Sequence, residues 1–239
     1  MQQIAVIEEF SIEQIVPFFQ PIYDLAQAKV MRYECFARLV TKDDSVYLPS
    51  EFLYIVSRSQ SNALLTQRIV ELSSAYCVQR HMPWSVNMFK TDLRDATLVK
   101  WLQQLFEEIP YHLAGVELSF DSVKEHPHLL SNLMQKLPNL HVTVDDVYEC
   151  NSMLNEVINT GIHAVKLRGD VVTRYAKTGQ GRQYIEQLLA ECTNTGCALI
   201  AEHVEDNNTL DALQNIGLQY GQGFYLSEPA GRMASLKQV

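Results

Sequence analysis

Short apolar runs in this chain stop repeatedly at a polar residue of a cation-binding type. Glu34 follows KVMRY, Asn87 follows WSV, Glu117 follows LAGV, Asp145 and Asp146 follow LHVTV, Lys166 follows HAV and Glu202 follows ALIA. Longer segments with helical apolar spacing separate these runs, and that alternation points to an α/β fold. A parallel barrel gathers the C-terminal ends of its strands around one opening, so residues far apart in sequence would meet in a single acidic site.

The spacing predicts strands at FFQPIYD and KVMRYECFARL, joined by a short polar connection from Asp24 to Lys29. Pro49 opens a helix around SEFLYIVSRS, a second amphipathic helix runs through SNALLTQRIVELSSAYCVQR, and Pro83 separates it from the strand WSVN. Helices are then expected at 91–108, 123–136, 150–159, 170–194 and 206–215. The strands between and after them fall at 112–119, 140–145, 162–167, 197–201 and 219–222. The pattern favours a (β/α)8-like barrel over a doubly wound open sheet. KTGQGRQ, residues 177–183, reads as an exposed turn dividing the 170–194 helix, since it lacks phosphate-loop spacing and a clear preceding strand.

A length of 239 residues suits one large core, and an α/β barrel of this size needs no division into two domains. Acidic residues outnumber basic ones, 28 to 19, giving a formal charge of -9, so no DNA or RNA polymer is expected as a partner. A small anionic ligand is compatible with that charge if metals shield it. The sequence contains no run with the length and flanks of a signal peptide or membrane helix, which makes the cytoplasm the expected location. Five cysteines without a CxxC pair read as reduced, structural thiols.

The candidate constellation is Glu34, Asn87, Glu117, Asp145, Asp146, Glu202 and Glu205, with Lys166 at a neighbouring strand end. Carboxylates brought this close repel one another unless a cation or proton lies between them. Their oxygen donors suit Mg²⁺ or Mn²⁺ better than Zn²⁺. Two ions bridged by Asp145 would activate water and stabilise charge on a phosphodiester, with Lys166 orienting the water or neutralising the transition state. The plain alternative is a set of strand-end caps and ion pairs.

From Phe18 to Pro229 the sequence resembles the EAL family of cyclic-di-GMP phosphodiesterases. The resemblance rests on FFQPIYD, YECFARL, SVNMF, GVELSF, VTVDDVYECNSM, AVKLRGD, LIAEHVEDNNTL and QYGQGFYLSEP in order. It implies a single EAL-like domain over 1-239, folded as a modified TIM barrel whose first strand is antiparallel. It also implies two Mg²⁺ or Mn²⁺ ions promoting water attack on cyclic-di-GMP to give linear pGpG. By this resemblance Glu34, Asn87, Glu117, Asp145, Asp146 and Glu202 are metal ligands. Lys166 is catalytic, Glu202 and Glu205 belong to the catalytic network, and Gln20, Arg38 and Gln222 face the substrate.

The chain departs from the family pattern at several places. Cys35-Phe36 replaces Ala-Leu, and Phe120 stands where a second Glu is usual. Val147-Tyr148-Glu149 replaces a glycine-containing loop, Arg168 replaces an Asp, and His203 replaces a Gly. Such changes alter the support around a metal site even where its ligands persist. The alternative reading is therefore a catalytically inactive EAL-like regulator that binds cyclic-di-GMP or a protein partner. The resemblance permits a homodimer. With no GGDEF, receiver, PAS or membrane segment in it, the sequence reads as a stand-alone domain regulated by expression, dimer contacts or a separate partner.

Overall fold

A computed structural model describes residues 10–110 and 113–233. Strands β1 (Ile15–Asp24), β2 (Lys29–Val40), β4 (Trp84–Asn87), β5 (Ala114–Ser119), β6 (His141–Val147), β7 (Ala164–Leu167), β8 (Ala198–Ala201) and β9 (Tyr220–Gly221) pair in a closed ring. A short β3 (Val46–Tyr47) adds to β2 outside the ring. From β2 through β9 the ring pairings are parallel, whereas β1 runs antiparallel to both β2 and β9. The fold is thus an eight-stranded TIM-like barrel with its first strand reversed. That reversal follows from the tight β1–β2 connection, where the Asp24 carboxylate accepts from the Ala26 and Gln27 backbone N–H groups and Ala28 takes φ 52°.

The outer layer contains helices α1 (Pro49–Arg58), α2 (Asn62–Val78), α3 (Ala96–Glu107), α4 (Phe120–Glu125), α5 (Pro127–Lys136), α6 (Ser152–Asn159), α7 (Gly169–Thr178), α8 (Arg182–Thr195) and α9 (Asn207–Asn215). Helix α3 illustrates how they form. The Asp95 side chain caps it by accepting from Thr97 N and Leu98 N, and Leu98, Leu102 and Phe106 bury one stripe. Each such side chain taken from water contributes roughly 1.5–3 kcal/mol. Inside the ring, Ile22, Ala164 and Ile200 form a separate apolar cluster. It fills the barrel below the strand ends, two residues along from Gln20, Lys166 and Glu202 respectively.

Two of the expected helices differ from the sequence expectation, and a third divides where expected. The 123–136 segment is two helices, α4 beginning earlier at Phe120 and α5 starting at Pro127. Proline lacks the N–H needed to continue a helix and drives the preceding residue out of the helical region, and His126 accordingly has φ -143° and ψ 61°. The 91–108 segment opens with a 3-10 turn, Asp92–Arg94, before α3 begins at its Asp95 cap. The 170–194 segment divides at the expected turn, with Gly179 and Gly181 at φ 69° and 81°. Residue 112, the expected first residue of the strand that forms β5, lies outside the described residues.

Candidate active site

Strand alternation places Glu34, Phe36 and Arg38 on one face of β2, and Ser85 and Asn87 on one face of β4. Parallel register then aligns Asn87 with Glu117 and Ser119 with Asp145 across the β4–β5–β6 ladder. Lys166 projects from β7 into the centre of this group. Its Nζ lies 2.7 Å from Glu34 Oε2, 2.9 Å from Glu117 Oε2, 2.9 Å from Glu202 Oε1 and 3.7 Å from Asp145 Oδ1. The ammonium is fully buried. Asn87 Nδ2 donates to Glu34 Oε1 at 2.6 Å, and Gln222 Nε2 donates to Glu34 Oε2 at 3.0 Å.

One ammonium contacting four carboxylates leaves three negative charges uncompensated by it if all four ionise. Burial, reinforced by the Glu34 charge, pushes Glu117 up to about 7 despite the opposing pull of Lys166. Burial likewise raises Asp145 to about 7, with Lys166 opposing and Glu202 adding to the rise. Glu202 is raised too, first by burial. Burial alone would depress Lys166, but Asp145, Glu117, Glu202 and Glu34 overcome it and hold the ammonium well above its ordinary range. The cluster is therefore short of positive charge.

The donor set fits a hard divalent cation. Carboxylate oxygens of Glu34, Glu117 and Asp145 lie within 4.8 Å of one another, as do those of Asp145, Asp146 and Glu202. Asp145 belongs to both groups because of a local backbone irregularity. The β6–β7 register shifts between Val144 and Val147, Asp146 takes φ 58°, and its N–H donates to Asp145 Oδ1 at 2.7 Å. A bulge of this kind brings two successive side chains toward one opening, which a regular strand cannot do. Gln222 Oε1 is buried without a hydrogen-bond partner, leaving an acceptor available beside the carboxylates.

A pocket of about 250 Å³ adjoins the cluster, lined by Gln20, Phe36, Arg38, Glu202, Glu205 and Gln222 among others. The Arg38 guanidinium sits 5.4 Å from the Phe36 ring centroid and 5.8 Å from that of Phe18, and Nη1 donates to Ala37 O at 2.9 Å. Phe36 thus braces the arginine as well as shaping the wall. Gln20 Nε2 donates to Ser227 O at 2.9 Å. Glu34, Asn87, Glu117, Asp145, Lys166, Glu202 and Gln222 meet at the centre, Asp146 joins them from an exposed position, and Gln20, Arg38 and the exposed Glu205 line the adjoining pocket.

The neighbourhood explains other departures. His203 adopts φ 54°, a conformation in which glycine costs least, and its ring occupies the space that a Cβ on Gly169 would need. Gly223 passes so close to Val204 that an added Cβ would collide with its backbone N and carbonyl oxygen. Phe120 is fully buried and meets Tyr148 edge-on at 6.0 Å.

Sequence reasoning missed two contributors inside the barrel. Ser85 donates to Glu117 Oε1 at 2.5 Å, and the available signal was its position two residues before Asn87 on the same strand face. Arg32, two residues before Glu34, is buried and donates through Nη1 to Trp84 O and Leu113 O at 2.5 and 3.1 Å. A Cβ on Gly115 would come within 2.9 Å of that nitrogen, so the missing side chain makes room for the guanidinium.

The EAL domain model matches residues 5–229. The cyclic di-GMP phosphodiesterase PdeB of Shewanella oneidensis is 21% identical over 227 residues, covering 90% of this chain and 26% of PdeB. The cyclic di-GMP phosphodiesterase PA2567 of Pseudomonas aeruginosa is 20% identical over 220 residues, covering 88% of this chain and 38% of that protein. The chain therefore spans well under half the length of these curated relatives. The solved FimX EAL domain from Pseudomonas aeruginosa bound to c-di-GMP superposes with TM-score 0.86 at 19% identity, covering 97% of this chain and 98% of the FimX chain. No helix among the described residues is long and apolar enough to cross a membrane.

Proposed function

The chain belongs to the EAL domain family, and on that premise we propose that it hydrolyses cyclic-di-GMP to linear pGpG in a reaction that depends on Mg²⁺ or Mn²⁺. The observation that carries this reading is the union of four carboxylates, Asn87 and Gln222 around the buried Lys166, directly beside a pocket containing Arg38. Glu34, Asn87, Glu117, Asp145, Asp146 and Glu202 would hold the metal, Asp145 being common to the Glu34–Glu117 and Asp146–Glu202 groups of carboxylates. When bound, such ions supply Lewis-acid activation of water and neutralise charge on the phosphoryl oxygens.

The remaining work falls to the chain's own groups. Arg38 offers planar donors to a phosphate oxygen, and the Phe18 and Phe36 rings limit where the guanidinium can go. Gln222 Oε1, buried and unpartnered, would accept a hydrogen bond from the attacking water and aim its lone pair at phosphorus. Lys166 Nζ, whose proton the surrounding carboxylates favour, would supply a fixed positive charge as negative charge accumulates. Glu202 and Glu205, at the pocket side, would receive or relay the water proton. Water attack at phosphorus breaks a P–O3′ bond, the departing 3′-oxygen takes up the relayed proton as a free hydroxyl, and the opened ring keeps its 5′-phosphate as pGpG.

A second reading, cyclic-di-GMP binding without turnover, is favoured by the segment after Asp146. It lacks glycine and is tied to its surroundings through Tyr148 and Glu149. Product analysis with purified protein, cyclic-di-GMP and Mg²⁺ or Mn²⁺ separates the two, with Glu34→Ala as the control and a nucleotide titration in parallel. Hydrolysis predicts metal-dependent pGpG that Glu34→Ala abolishes. Saturable binding without product would establish the second reading instead.

A further inference from the structure

Asp145 and Asp146 owe their shared position to a bulge, and nothing within the bulge is conformationally permissive. Asp146 occupies the left-handed region at φ 58°, where a non-glycine residue is strained, and no glycine follows it before Gly161. Such a backbone persists when its surroundings hold it. Val147 anchors one side by pairing with Leu167 and accepting from Arg168 N at 3.0 Å. The next residue, Tyr148, is held from more directions.

The Tyr148 hydroxyl donates to Asp121 Oδ1 at 2.9 Å and accepts from Lys124 Nζ at 2.9 Å, joining the segment after β6 to α4. Lys124 also pairs with Glu149 at 2.7 Å. The Arg168 guanidinium lies 4.4 Å from the Tyr148 ring centroid, bringing the end of β7 onto the same side chain, and Asp170 fixes that guanidinium at 2.6 Å. Phe120, the buried first residue of α4, meets the ring edge-on. Two other segments, α4 and the β7–α7 junction, thus converge on one aromatic residue two positions beyond Asp146.

We infer that Tyr148 is a positioning residue for the metal centre: its clamp between α4 and Arg168 holds the Asp145–Asp146 bulge in the geometry that presents both carboxylates to a cation. The hydroxyl fixes the segment relative to α4, while the ring fixes it relative to the end of β7. Tyr148 acts on the two carboxylates through the backbone that joins it to Asp146. The clamp sets the acidic pair by side-chain contact before any ion arrives. The inference rests on the proposed metal reading.

The test is Mn²⁺ titration of the full chain, followed by loss of the electron paramagnetic resonance signal of free aqueous Mn²⁺, with thermal unfolding measured alongside. Tyr148→Ala should weaken binding about 10- to 100-fold, the range expected for losing a group that orients ligands. Tyr148→Phe, which keeps the ring against Arg168 and Phe120, should recover most of that loss. Leu102→Ala, a core truncation in α3, controls for lost stability and should bind Mn²⁺ as the wild type does. Wild-type affinity in Tyr148→Ala, or an equal loss in Leu102→Ala, would overturn the inference while leaving the metal reading intact. Failure of the wild type itself to bind Mn²⁺ would overturn both.

Discussion

Replacing Lys166 with methionine removes the ammonium shared by four carboxylates while retaining much of its buried volume. The substitution deletes ion pairs to Glu34 at 2.7 Å, to Glu117 and Glu202 at 2.9 Å, and to Asp145 at 3.7 Å. Breaking a buried ion pair by deleting one partner costs about 3–5 kcal/mol, and the lower end applies because the carboxyls can take up protons. In a chain of this size about 3 kcal/mol corresponds to a fall in Tm of roughly 6–12 °C. The loss should depend on pH with a definite sign. Glu117, raised from 4.5 to about 7, binds more protons folded than unfolded across that interval, so it makes the metal-free protein less stable as pH rises from about 4.5 to 7. Without Lys166 the carboxyls hold their protons still more strongly, and the decline becomes steeper and extends to higher pH. Thermal unfolding followed by circular dichroism at pH 5.5 and pH 8, with and without Mn²⁺, reads both effects. Lys166→Met should approach wild-type stability at pH 5.5, fall furthest behind at pH 8 without metal, and gain more from Mn²⁺ than the wild type. Equal Tm values at pH 8 without metal would refute the charge argument.

Arg38→Ala should weaken cyclic-di-GMP binding about 10- to 100-fold in a calorimetric titration, the equivalent of about 1.5–3 kcal/mol for a charge-assisted hydrogen bond, while leaving Mn²⁺ affinity within a few-fold of wild type. Gly223→Ala should lower stability by about 1–3 kcal/mol in denaturant titration, because the new Cβ would collide with backbone atoms of Val204 rather than with a side chain able to swing away.

The barrel was legible because short apolar runs stop at a polar residue at or near a strand's C-terminal end, as at Asn87, Glu117 and Lys166. Periodicity alone could not reverse β1; that expectation came through the family resemblance, and the pairing of β1 with β9 bears it out. The division of the 123–136 helix was signalled by Pro127, but the apolar spacing of Val123, Leu130 and Leu133 continues across it and masks the break. β3 escaped notice because Val46 and Tyr47 form too short a run for strand alternation to register.

At the site, order along the chain identified which residues converge, yet it could not give Lys166 its four partners, since those distances depend on ring closure. Arg32 and Gly115 illustrate a second limit. Neither is conspicuous alone, and only the β2–β4–β5 ladder brings a buried guanidinium over a missing side chain. Tyr148 was visible as a departure from the family pattern, but its clamp joins α4, β6 and β7, three elements whose proximity is a tertiary fact.

The most direct test of the central claim is metal add-back under single-turnover conditions. Protein stripped with a chelator and held in excess over cyclic-di-GMP should form no pGpG until Mn²⁺ or Mg²⁺ is supplied, and should then convert the bound nucleotide. Retained nucleotide binding with no pGpG after add-back of either ion would contradict the phosphodiesterase account and leave this barrel as a binding module.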